Sequence, residues 1–360
     1  MSATWPAVDG VPATMRAVPL TEFGPPEVLR PAEMPTPAPG PGEVLVRVGA
    51  VSVGRLLDVL ARAGRHPYAH FRFPHILGAE SAGTIAAVGA GVADLSAGDR
   101  VAVFPVVVSG EDEQTRSGFP ELSPSVELIG THRPGAYAEY VVAPAENVRV
   151  VPDGMDPLEA VAVVLAGAVA MNQFDRVGGV GPGTRIVVQG ASSALGLTTA
   201  LLARHLGAEV VVTSRHPAKR TRLRELGFAH ALDPASGKLA HEVRESFGGR
   251  GAQVIVDNLG VEEIWRAGFD ALAPGGAVVT SGAFLGQELP IDVKRLYSTG
   301  HRVVGVRTGN LASLDRVWAE VHGGFRSVID RSFELGDACA AHRYVEAGGN
   351  VGRVALTVRA

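Results

Sequence analysis

Residues 187–196 read VVQGASSALG, in which an apolar β-branched pair enters a turn of small residues and then a helix-forming segment. A strand that ends in such a turn directs backbone N–H groups and a helix N-terminus at an anion. An ordinary strand–helix connection is the alternative, but a second strand–helix unit follows at once and favours the nucleotide. The pattern therefore predicts a cradle for a dinucleotide pyrophosphate, formed by Ala191, Ser192, Ser193, Ala194, Leu195 and Gly196.

Strands and helices alternate around this turn. TRIVVQG (184–190) leads into ALGLTTALLARHLG (194–207), which has helical spacing and ends at glycine. PAKRTRLRELG (217–227) predicts the next helix, and further strands are predicted at EVVVTS (209–214), QVIVDNLG (253–260), GGAVVTSG (275–282) and HRVVGVR (301–307). This alternation indicates a doubly wound parallel sheet.

The end of the second strand bears on which dinucleotide is bound. An NAD site usually places Asp or Glu there, next to the ribose 2′-hydroxyl. This chain instead reads TSRHPAKR (213–220), which offers Ser214, Arg215 and Lys219 to a 2′-phosphate. A solvated charge cluster at a helix start is the alternative interpretation. The sequence favours NADP(H) as the cofactor.

The N-terminal part of the chain carries strand signals without such helices. Residues 1–14 precede any pattern, and we expect them to form a loose extension. Short runs bounded by Gly and Pro then predict strands at EVLVRVGAV (43–51), GTIAAVGAGV (83–92), GDRVAVFP (98–105) and AYAEYVVAP (136–144), and a last strand at GRVALTV (352–358). The predicted fold class is α/β, with a β-rich domain beside a doubly wound domain.

Composition excludes several function classes. The 360 residues have a net charge of −4 and no basic run, which argues against a nucleic-acid partner. Cys339 is the only cysteine, so an internal disulfide and a cysteine-based structural zinc site are excluded. The N-terminus lacks a signal-peptide pattern, and the apolar run EAVAVVLAGAVAM (159–171) is too short to cross a bilayer. We therefore expect a cytoplasmic protein without a membrane partner.

Together these segments resemble the medium-chain dehydrogenase/reductase superfamily, which includes zinc alcohol dehydrogenases and quinone reductases. The landmarks run from MRAVPLTEFGPPEVL (15–29) through PHILGAESAGTIAAVGAGV (74–92) to GRVALTV. The resemblance implies a GroES-like catalytic domain, residues 1–157 and 311–360, and an inserted Rossmann domain, residues 158–310. It implies a small-molecule substrate between the domains. It also implies a homodimer through HRVVGVR (301–307), because an edge strand offers unpaired backbone groups.

Residues 109–123, SGEDEQTRSGFPELS, match a zinc-binding lobe of the superfamily without its ligands. Gly110 and Gly118 keep the glycine positions of that lobe. The cysteine positions hold Ser109, Asp112, Thr115 and Ser123. Hydroxyls and one carboxylate do not replace four soft thiolates, so we predict a metal-free remnant of the lobe.

The catalytic zinc ligands of the superfamily are replaced as well. Arg55, three residues before Asp58, takes the position of the first ligand, and the His of a Gly-His-Glu motif is Ala79, before Glu80. The third ligand position falls near Leu165 or Ala166. His66, His70 and His75 lie close in sequence but lack a cysteine partner, and we expect surface or loop histidines. No metal site is predicted.

The resemblance also assigns residues at the cofactor. The Gly-x-Gly-x-x-Gly pattern of the superfamily maps onto Ala191, Ser193 and Gly196, and the Ser193 hydroxyl is expected to offer a bond to a phosphate oxygen but to crowd the turn. Asn258 follows a strand end and is expected to contact the cofactor, and Arg353 is a candidate for the pyrophosphate. A further segment is placed near the nicotinamide carboxamide: Ser281, Gly282, Ala283 and Phe284.

Without zinc, direct alcohol or ketone chemistry loses its electrophile. Hydride addition to a conjugated enone needs less help, because the charge spreads onto an oxygen that hydrogen bonds can hold. The sequence therefore predicts a zinc-independent, NADPH-dependent oxidoreductase acting on an enone or quinone. Two alternatives stay open: a zinc-free carbonyl or imine reductase, and an NADPH-binding sensor or structural protein without turnover.

The catalytic candidates are Arg55, Asp58 and Glu80. Arg55 either stabilises an enolate oxygen or forms an ion pair with Asp58. Glu80 is expected to form a structural salt bridge with Arg353 more readily than to act as an acid. The proton for the product comes from water, Tyr68 or Tyr137, among which the sequence does not choose.

Overall fold

Up to residue 150 the chain is a succession of short strands. The computed structural model describes residues 3–7, 10–67, 71–283, 286 and 288–359. In chain order, this first part contains β1 (Thr14–Ala17), β2 (Pro19–Leu20), β3 (Ala32–Pro35), β4 (Glu43–Val53), β5 (His75–Ile76), β6 (Ser81–Val88), β7 (Arg100–Val103), β8 (Val106–Val108), α1 (Glu113–Arg116), β9 (Val126–Leu128), β10 (Tyr140–Pro144) and β11 (Val148–Val150).

Helices dominate the connections after residue 150. The long apolar helix α2 (Pro157–Val177) comes first. It is followed by β12 (Arg185–Val188), α3 (Ala194–His205), β13 (Glu209–Thr213), α4 (Pro217–Glu225), β14 (His230–Leu232), α5 (Leu239–Ser246), β15 (Ala252–Val256), α6 (Glu262–Ala271), β16 (Leu272–Thr280), α7 (Val293–Thr299), β17 (Arg302–Gly305), α8 (Leu311–His322), β18 (Ile329–Glu334), α9 (Ala338–Ala347) and β19 (Arg353–Thr357).

Two compact units divide the chain: residues 1–165 with 318–360, and residues 166–317. The first unit thus contains both chain ends. Its boundaries fall within α2 and α8, whereas the sequence placed them near the starts of these helices, at 157 and 311. A helix has no local signal for the residue at which its contacts pass from one unit to the next.

The second unit is built on a six-stranded sheet in the order β14-β13-β12-β15-β16-β17. All of its strand pairs are parallel. The chain moves outward from β12 to β14 and then returns to place β15 on the other side of β12. This reversal opens a crevice at the carboxyl ends of β12 and β15, where doubly wound sheets bind ligands. The predicted doubly wound parallel sheet is confirmed.

The core of this unit explains why its strands are apolar on both faces. Val187, Val211, Ile255 and Val278, one from each of four strands, are at most 1% exposed and pack in one cluster with Trp265 of α6. Helices cover both faces of such a sheet, so alternation of polar and apolar residues is absent. The strand β14, which the sequence left unpredicted, is short and lies at the edge.

The first unit contains a seven-stranded sheet centred on β4, which pairs with β6, β10 and β19. β19 comes from the C-terminal end of the chain, and Val354 lies opposite Val53 of β4. The predicted strands at 43–51, 83–92, 98–105, 136–144 and 352–358 are therefore present. Their pairing brings together the two ends of the sequence within one β-rich unit.

The N-terminal segment is better anchored than the predicted loose extension. It has no helix or strand before β1 among the residues described. Trp5 nevertheless donates an indole N–H to the carbonyl oxygen of Met155 at 3.0 Å, and Arg47 donates to the carbonyl of Ala7. The partners, Met155 and Arg47, are distant in sequence, so local composition did not predict these contacts.

Helix α2 is longer than the apolar run that predicted it. Its 21 residues are long and apolar enough to cross a membrane by length and composition. In its most apolar window, however, 89% of the residues are buried inside the structure. A core helix passes the same test, which agrees with the buried helix that the sequence predicted.

Candidate functional site

The turn after β12 presents free backbone donors at the start of α3. Leu197 N–H is bonded to the carbonyl of Ser193, and Ser193 N–H to that of Gly190. Within the described part of the chain, the N–H groups of Ser192, Ala194 and Leu195 have no acceptor. Three unsatisfied donors at the N-terminus of a twelve-residue helix suit a phosphate group. The residues therefore fit the pyrophosphate of a dinucleotide.

Close backbone contact explains two glycines of this turn. A Cβ on Gly196 would lie 2.7 Å from the carbonyl oxygen of Gly190 and 3.0 Å from Cα of Ala191. Gly190 itself has φ +63, a region that L side chains rarely adopt. Gly196 is the last glycine of the mapped pattern, whereas Gly190 was not singled out from the sequence.

Contrary to the prediction, Ser193 does not crowd the turn. It is the N-cap of α3 with φ −71 and ψ 162, an ordinary extended conformation. Its Oγ accepts from the N–H of Gly196 at 3.0 Å. The hydroxyl oxygen thus satisfies one orphan donor of the helix, and the hydroxyl hydrogen stays available to an anion.

The loop after β13 is held from within by Arg220. Its guanidinium donates to the carbonyl oxygens of Ser214 and Arg215 at 2.7 and 3.0 Å, and it pairs with Asp233 at 2.9 Å. Ser214 is buried, Arg215 is exposed and Lys219 is half-buried. The sequence proposed Ser214, Arg215 and Lys219 as phosphate ligands but missed Arg220, whose role depends on the partner Asp233 after β14.

Asn258 and Ser281 meet where β15 and β16 end. The N–H of Ser281 donates to Oδ1 of Asn258 at 2.7 Å. Gln173 of α2 also bonds to both residues, at 3.0 and 2.8 Å. The structure thus brings two predicted cofactor residues together and adds Gln173. The only sequence signal for Gln173 was a polar side chain in an apolar helix.

The rest of the predicted nicotinamide segment is partly described. Gly282 bonds with Oγ1 of Thr280 through its N–H and its carbonyl. Ala283 lies so close to Gly260 that a Cβ on that glycine would be 2.9 Å from the Cβ of Ala283. Phe284 lies outside the described residues.

Glu80 and Arg353 form the predicted salt bridge. Both guanidinium Nη atoms contact the carboxylate, at 2.6 and 2.8 Å, and both side chains are almost fully buried. The hydroxyl of Ser52 donates to the same carboxylate. A buried carboxylate with this many charge-assisted bonds is held firmly in place, which favours a structural role. The contact of Arg353 with a pyrophosphate stays a prediction.

Asp58 lies in the π-helical turn Arg55–Leu60 and joins two backbone segments. Its two oxygens accept from the N–H of Gly54 at 2.7 Å and of Gly78 at 2.9 Å. The side chain is 1% exposed, and burial raises its pKa to about 7, against the opposing effect of these two hydrogen bonds. This placement favours a clamp between the two segments over contact with a substrate.

Arg55 binds the end of a helix. Its Nη2 donates to the carbonyl of Val345 in the last turn of α9, and burial lowers its pKa. A cation at this end is favourable, because the helix dipole places negative charge there. These partners of Arg55 and Asp58 differ from the ion pair between the two that the sequence offered as an alternative.

Tyr137 cannot donate a proton directly to a bound molecule from this position. It is fully buried, and its hydroxyl lies 3.0 Å from Nε2 of His342. Burial raises the pKa of Tyr137 well above its ordinary value and lowers that of His342 to about 3. The sequence named Tyr137 as one of three possible proton sources, and its burial argues against this alternative. Tyr68 lies outside the described residues.

Hydrogen bonds connect the cysteine positions of the remnant lobe. Asp112 caps α1 by accepting from the N–H of Thr115 at 2.9 Å, and Ser123 Oγ donates to its other oxygen at 2.6 Å. The bond from Ser123 is the main cause of a lowered Asp112 pKa. Gly110 and Gly118 have φ +76 and +80, which explains why glycine persists at both. Three of the four substituted positions thus form a polar cluster.

The catalytic metal positions do not fit zinc. Arg55, Ala79 and Leu165 carry no thiolate, imidazole or carboxylate. Among the residues that the structure describes, no group of three or more His, Cys, Asp or Glu side chains converges. His75 is buried in β5 and its Nε2 lies 3.1 Å from the carbonyl of Gly130, so it is not the surface or loop residue expected. His70 lies outside the described residues.

Comparison with known proteins agrees with this architecture. The family profile of the alcohol dehydrogenase GroES-like domain matches residues 40–153, and that of the zinc-binding dehydrogenases matches residues 194–323. L-galactonate-5-dehydrogenase of Escherichia coli (strain K12) is 31% identical over 287 residues, or 79% of this chain and 82% of that protein. The chain belongs to the medium-chain dehydrogenase/reductase superfamily. This membership and the GroES-like plus Rossmann fold are as predicted.

Other members of the superfamily match over nearly the whole chain. A 2-haloacrylate reductase of Burkholderia sp. is 28% identical over 349 residues, covering 91% of this chain and 94% of that protein. The quinone oxidoreductase of Pseudomonas aeruginosa is 28% identical over 344 residues, covering 93% and 97%. The crystal structure of an NAD-dependent alcohol dehydrogenase has a TM-score of 0.88 at 32% identity, covering 96% of this chain and all of that one.

Replacing Ser123 tests the polar cluster of the remnant lobe. We expect Ser123→Ala to lower Tm by about 2–6 °C, because it leaves the ordered Asp112 carboxylate without its buried donor. Ser117→Ala is the control, since Ser117 is exposed in the same lobe. Differential scanning calorimetry of each variant with and without EDTA measures the effect. A Tm that falls with EDTA would contradict a metal-free lobe.

The buried Asp58 carboxyl should make stability depend on pH. Its pKa is about 7 in the folded protein and 3.8 in the unfolded chain, so the folded state holds the proton more tightly. Between about pH 4 and pH 7 the unfolded chain has lost this proton while the folded protein still holds it. The free energy of unfolding therefore falls as the pH rises through this range, by up to about 4 kcal/mol. We expect the unfolding free energy of the wild type to fall from pH 5 to pH 8 relative to Asp58→Asn. Urea unfolding of both proteins checks this, and parallel pH profiles would contradict it.

Proposed function

We propose that this chain is a zinc-independent reductase that uses NADPH to reduce a conjugated enone or a quinone. The observation that carries the proposal is the chemistry at the catalytic metal positions, where Arg55, Ala79 and Leu165 offer no ligand for zinc. The remaining acid there, Glu80, is neutralised by Arg353 and bonded by Ser52. Any electrophile must then be built from protein donors, which is sufficient for an enone or quinone oxygen.

The nucleotide-binding unit supports the cofactor part of the proposal. Free N–H groups of Ser192, Ala194 and Leu195 would hold the pyrophosphate, and Ser214, Arg215 and Lys219 would hold the 2′-phosphate. Arg220 holds the loop that carries Ser214 and Arg215. Asp233, the carboxylate near this loop, is paired with Arg220, which reduces its repulsion of a phosphate. When bound, NADPH supplies a hydride from its nicotinamide ring.

Two residues of the first unit remain candidates for handling charge and protons. The Arg55 guanidinium, which donates through Nη2 to the end of α9, is a candidate to stabilise the negative charge of an enolate oxygen. Because Tyr137 is fully buried, we propose that the proton comes from water or from Tyr68. Asp58 and Glu80 act as structural anchors in this scheme.

Two of the relatives favour this chemistry and two favour the alternative. The similarity to a 2-haloacrylate reductase and to a quinone oxidoreductase supports conjugated acceptors. The similarity to L-galactonate-5-dehydrogenase and to an NAD-dependent alcohol dehydrogenase supports carbinol or carbonyl chemistry instead. Hydride addition to a simple carbonyl requires a stronger electrophile than the described residues offer, and we therefore place the zinc-free carbonyl reductase second.

Cofactor oxidation with a panel of acceptors tests the function. We expect NADPH to be consumed with a conjugated enone or a quinone at least tenfold faster than NADH. The reason is that no carboxylate stands at the end of β13 to repel the 2′-phosphate. EDTA should not change the rate. Absorbance at the reduced nicotinamide band measures turnover. Saturated alcohols and ketones serve as the control acceptors.

Three outcomes would overturn parts of the proposal. Chelator-sensitive oxidation of simple alcohols would assign a zinc dehydrogenase instead. A preference for NADH would contradict the proposal that the loop after β13 binds a 2′-phosphate. Tight NADPH binding without consumption by any acceptor would favour a sensor or structural protein.

We further propose that two copies pair through β17. It is the edge strand of the six-stranded sheet, and Val303 on it is 39% exposed. Val293 and Tyr297 of α7, in the segment before this strand, are 67% and 73% exposed. An unpaired strand edge flanked by apolar side chains is suited to pairing with a second copy.

Solution mass measurements test this pairing. We expect a dimer for the wild type and a monomer for Val303→Asp, because the buried charge would disfavour the paired edge. Val150→Asp is the matched control, since Val150 is an exposed valine on the edge strand β11 of the other sheet. Light scattering after size exclusion measures the mass. A wild-type monomer, or a dimer that persists in Val303→Asp, would exclude pairing through β17.

A further inference from the structure

Gln173 is a fully buried polar residue on α2, in the part that belongs to the nucleotide-binding unit. Buried amides are usually hydrogen-bonded, and both bonds of its amide nitrogen go to residues at strand ends. This nitrogen lies 3.0 Å from Oδ1 of Asn258 and 2.8 Å from Oγ of Ser281. Three elements, α2, β15 and β16, are thereby joined at one point.

The orientation of both amides follows from a single backbone group. The N–H of Ser281 can only donate, so the Asn258 atom that it contacts at 2.7 Å is the oxygen. The Gln173 atom that faces the same oxygen must then be its amide nitrogen. That nitrogen has two hydrogens, and it uses them on Asn258 and Ser281.

This arrangement fixes which groups Asn258 and Ser281 can offer to a ligand. Oδ1 of Asn258 accepts two hydrogen bonds, which turns the amide nitrogen away from Gln173 with both of its hydrogens. Oγ of Ser281 accepts from Gln173, which leaves its own hydrogen to donate. Both residues are half-buried and follow the carboxyl ends of adjacent strands. The groups that these bonds leave for a ligand are therefore the amide hydrogens of Asn258 and the hydroxyl hydrogen of Ser281.

We propose that Gln173 is a positioning residue that holds Asn258 and Ser281 as hydrogen-bond donors for the carboxamide oxygen of a nicotinamide ring. The inference rests on the nicotinamide-binding part of the proposed function. Gln173 itself does not contact the ring; it acts through the two residues it orients. Without it, the Asn258 amide keeps only the bond from the Ser281 N–H, and Oγ of Ser281 loses the donor that directs its own hydrogen towards a ligand.

Two probes separate this role from a general effect on folding. NADPH contains the nicotinamide, whereas adenosine 2′,5′-bisphosphate contains only the adenosine end of the cofactor. We expect Gln173→Met, which keeps the length and removes both donors, to weaken NADPH binding at least tenfold. Binding of the bisphosphate should change less than twofold. Isothermal titration calorimetry measures both dissociation constants without turnover.

A second variant and a control complete the test. Gln173→Glu replaces the donor by an acceptor, which repels Oδ1 of Asn258 and favours a rotated amide, so it should weaken NADPH binding at least as much. Gln173→Asn, which keeps the amide on a shorter side chain, should weaken NADPH less than either. Val243→Ala creates a cavity in the hydrophobic core of the same unit and should lower Tm without changing either dissociation constant.

The outcomes distinguish the inference from the function on which it rests. Equal weakening of both probes in Gln173→Met would show a structural role only and overturn the proposal. Unchanged NADPH binding in Gln173→Met and Gln173→Glu would also overturn it, while leaving the proposed function intact. A wild type that binds the bisphosphate but neither NADPH nor NADH would overturn the nicotinamide site itself.

Discussion

The contact between Gly190 and Gly196 sets the geometry on which the nucleotide site depends. The carbonyl oxygen of Gly190 lies so close to Gly196 that a single added carbon would collide with it. This contact seats the start of α3 against the end of β12, at the point where the strand order reverses. The free N–H groups of the turn, the phosphate loop after β13 and the cluster after β15 all take their positions from the same edge of the sheet.

In the remnant lobe, hydrogen bonds connect three of the positions that the resemblance assigns to metal ligands. Asp112 and Ser123 are eleven residues apart, and their bond at 2.6 Å closes the loop between them. A carboxylate and a hydroxyl make weaker cross-links than four thiolates around zinc, but they need no ion. The positive φ of Gly110 and Gly118 shows that the backbone of the lobe still requires glycine at both positions after the ligands changed.

The buried carboxyl groups of the first unit are likewise held by hydrogen bonds or an ion pair with protein groups. Glu80 is balanced by Arg353, and the two side chains come from β-rich segments at opposite ends of the sequence. Among the described residues, the hydrogen-bond donors to the Asp58 carboxyl are the N–H groups of Gly54 and Gly78, and burial raises its pKa in spite of them. These anchors hold the segments around residues 54, 78 and 353 through protein groups.

The sequence by itself determined the periodic elements and the superfamily, and it predicted a site without zinc ligands. Strand and helix patterns, the glycine turn and the replaced ligand positions are local, so they can be read along the chain. The tertiary structure decided the partners. Gln173 meets Asn258 and Ser281, Arg220 meets Asp233, Arg55 meets the end of α9, and Tyr137 is buried against His342. Each of these contacts joins residues on different elements, and their distances depend on how the elements pack, which no local pattern encodes.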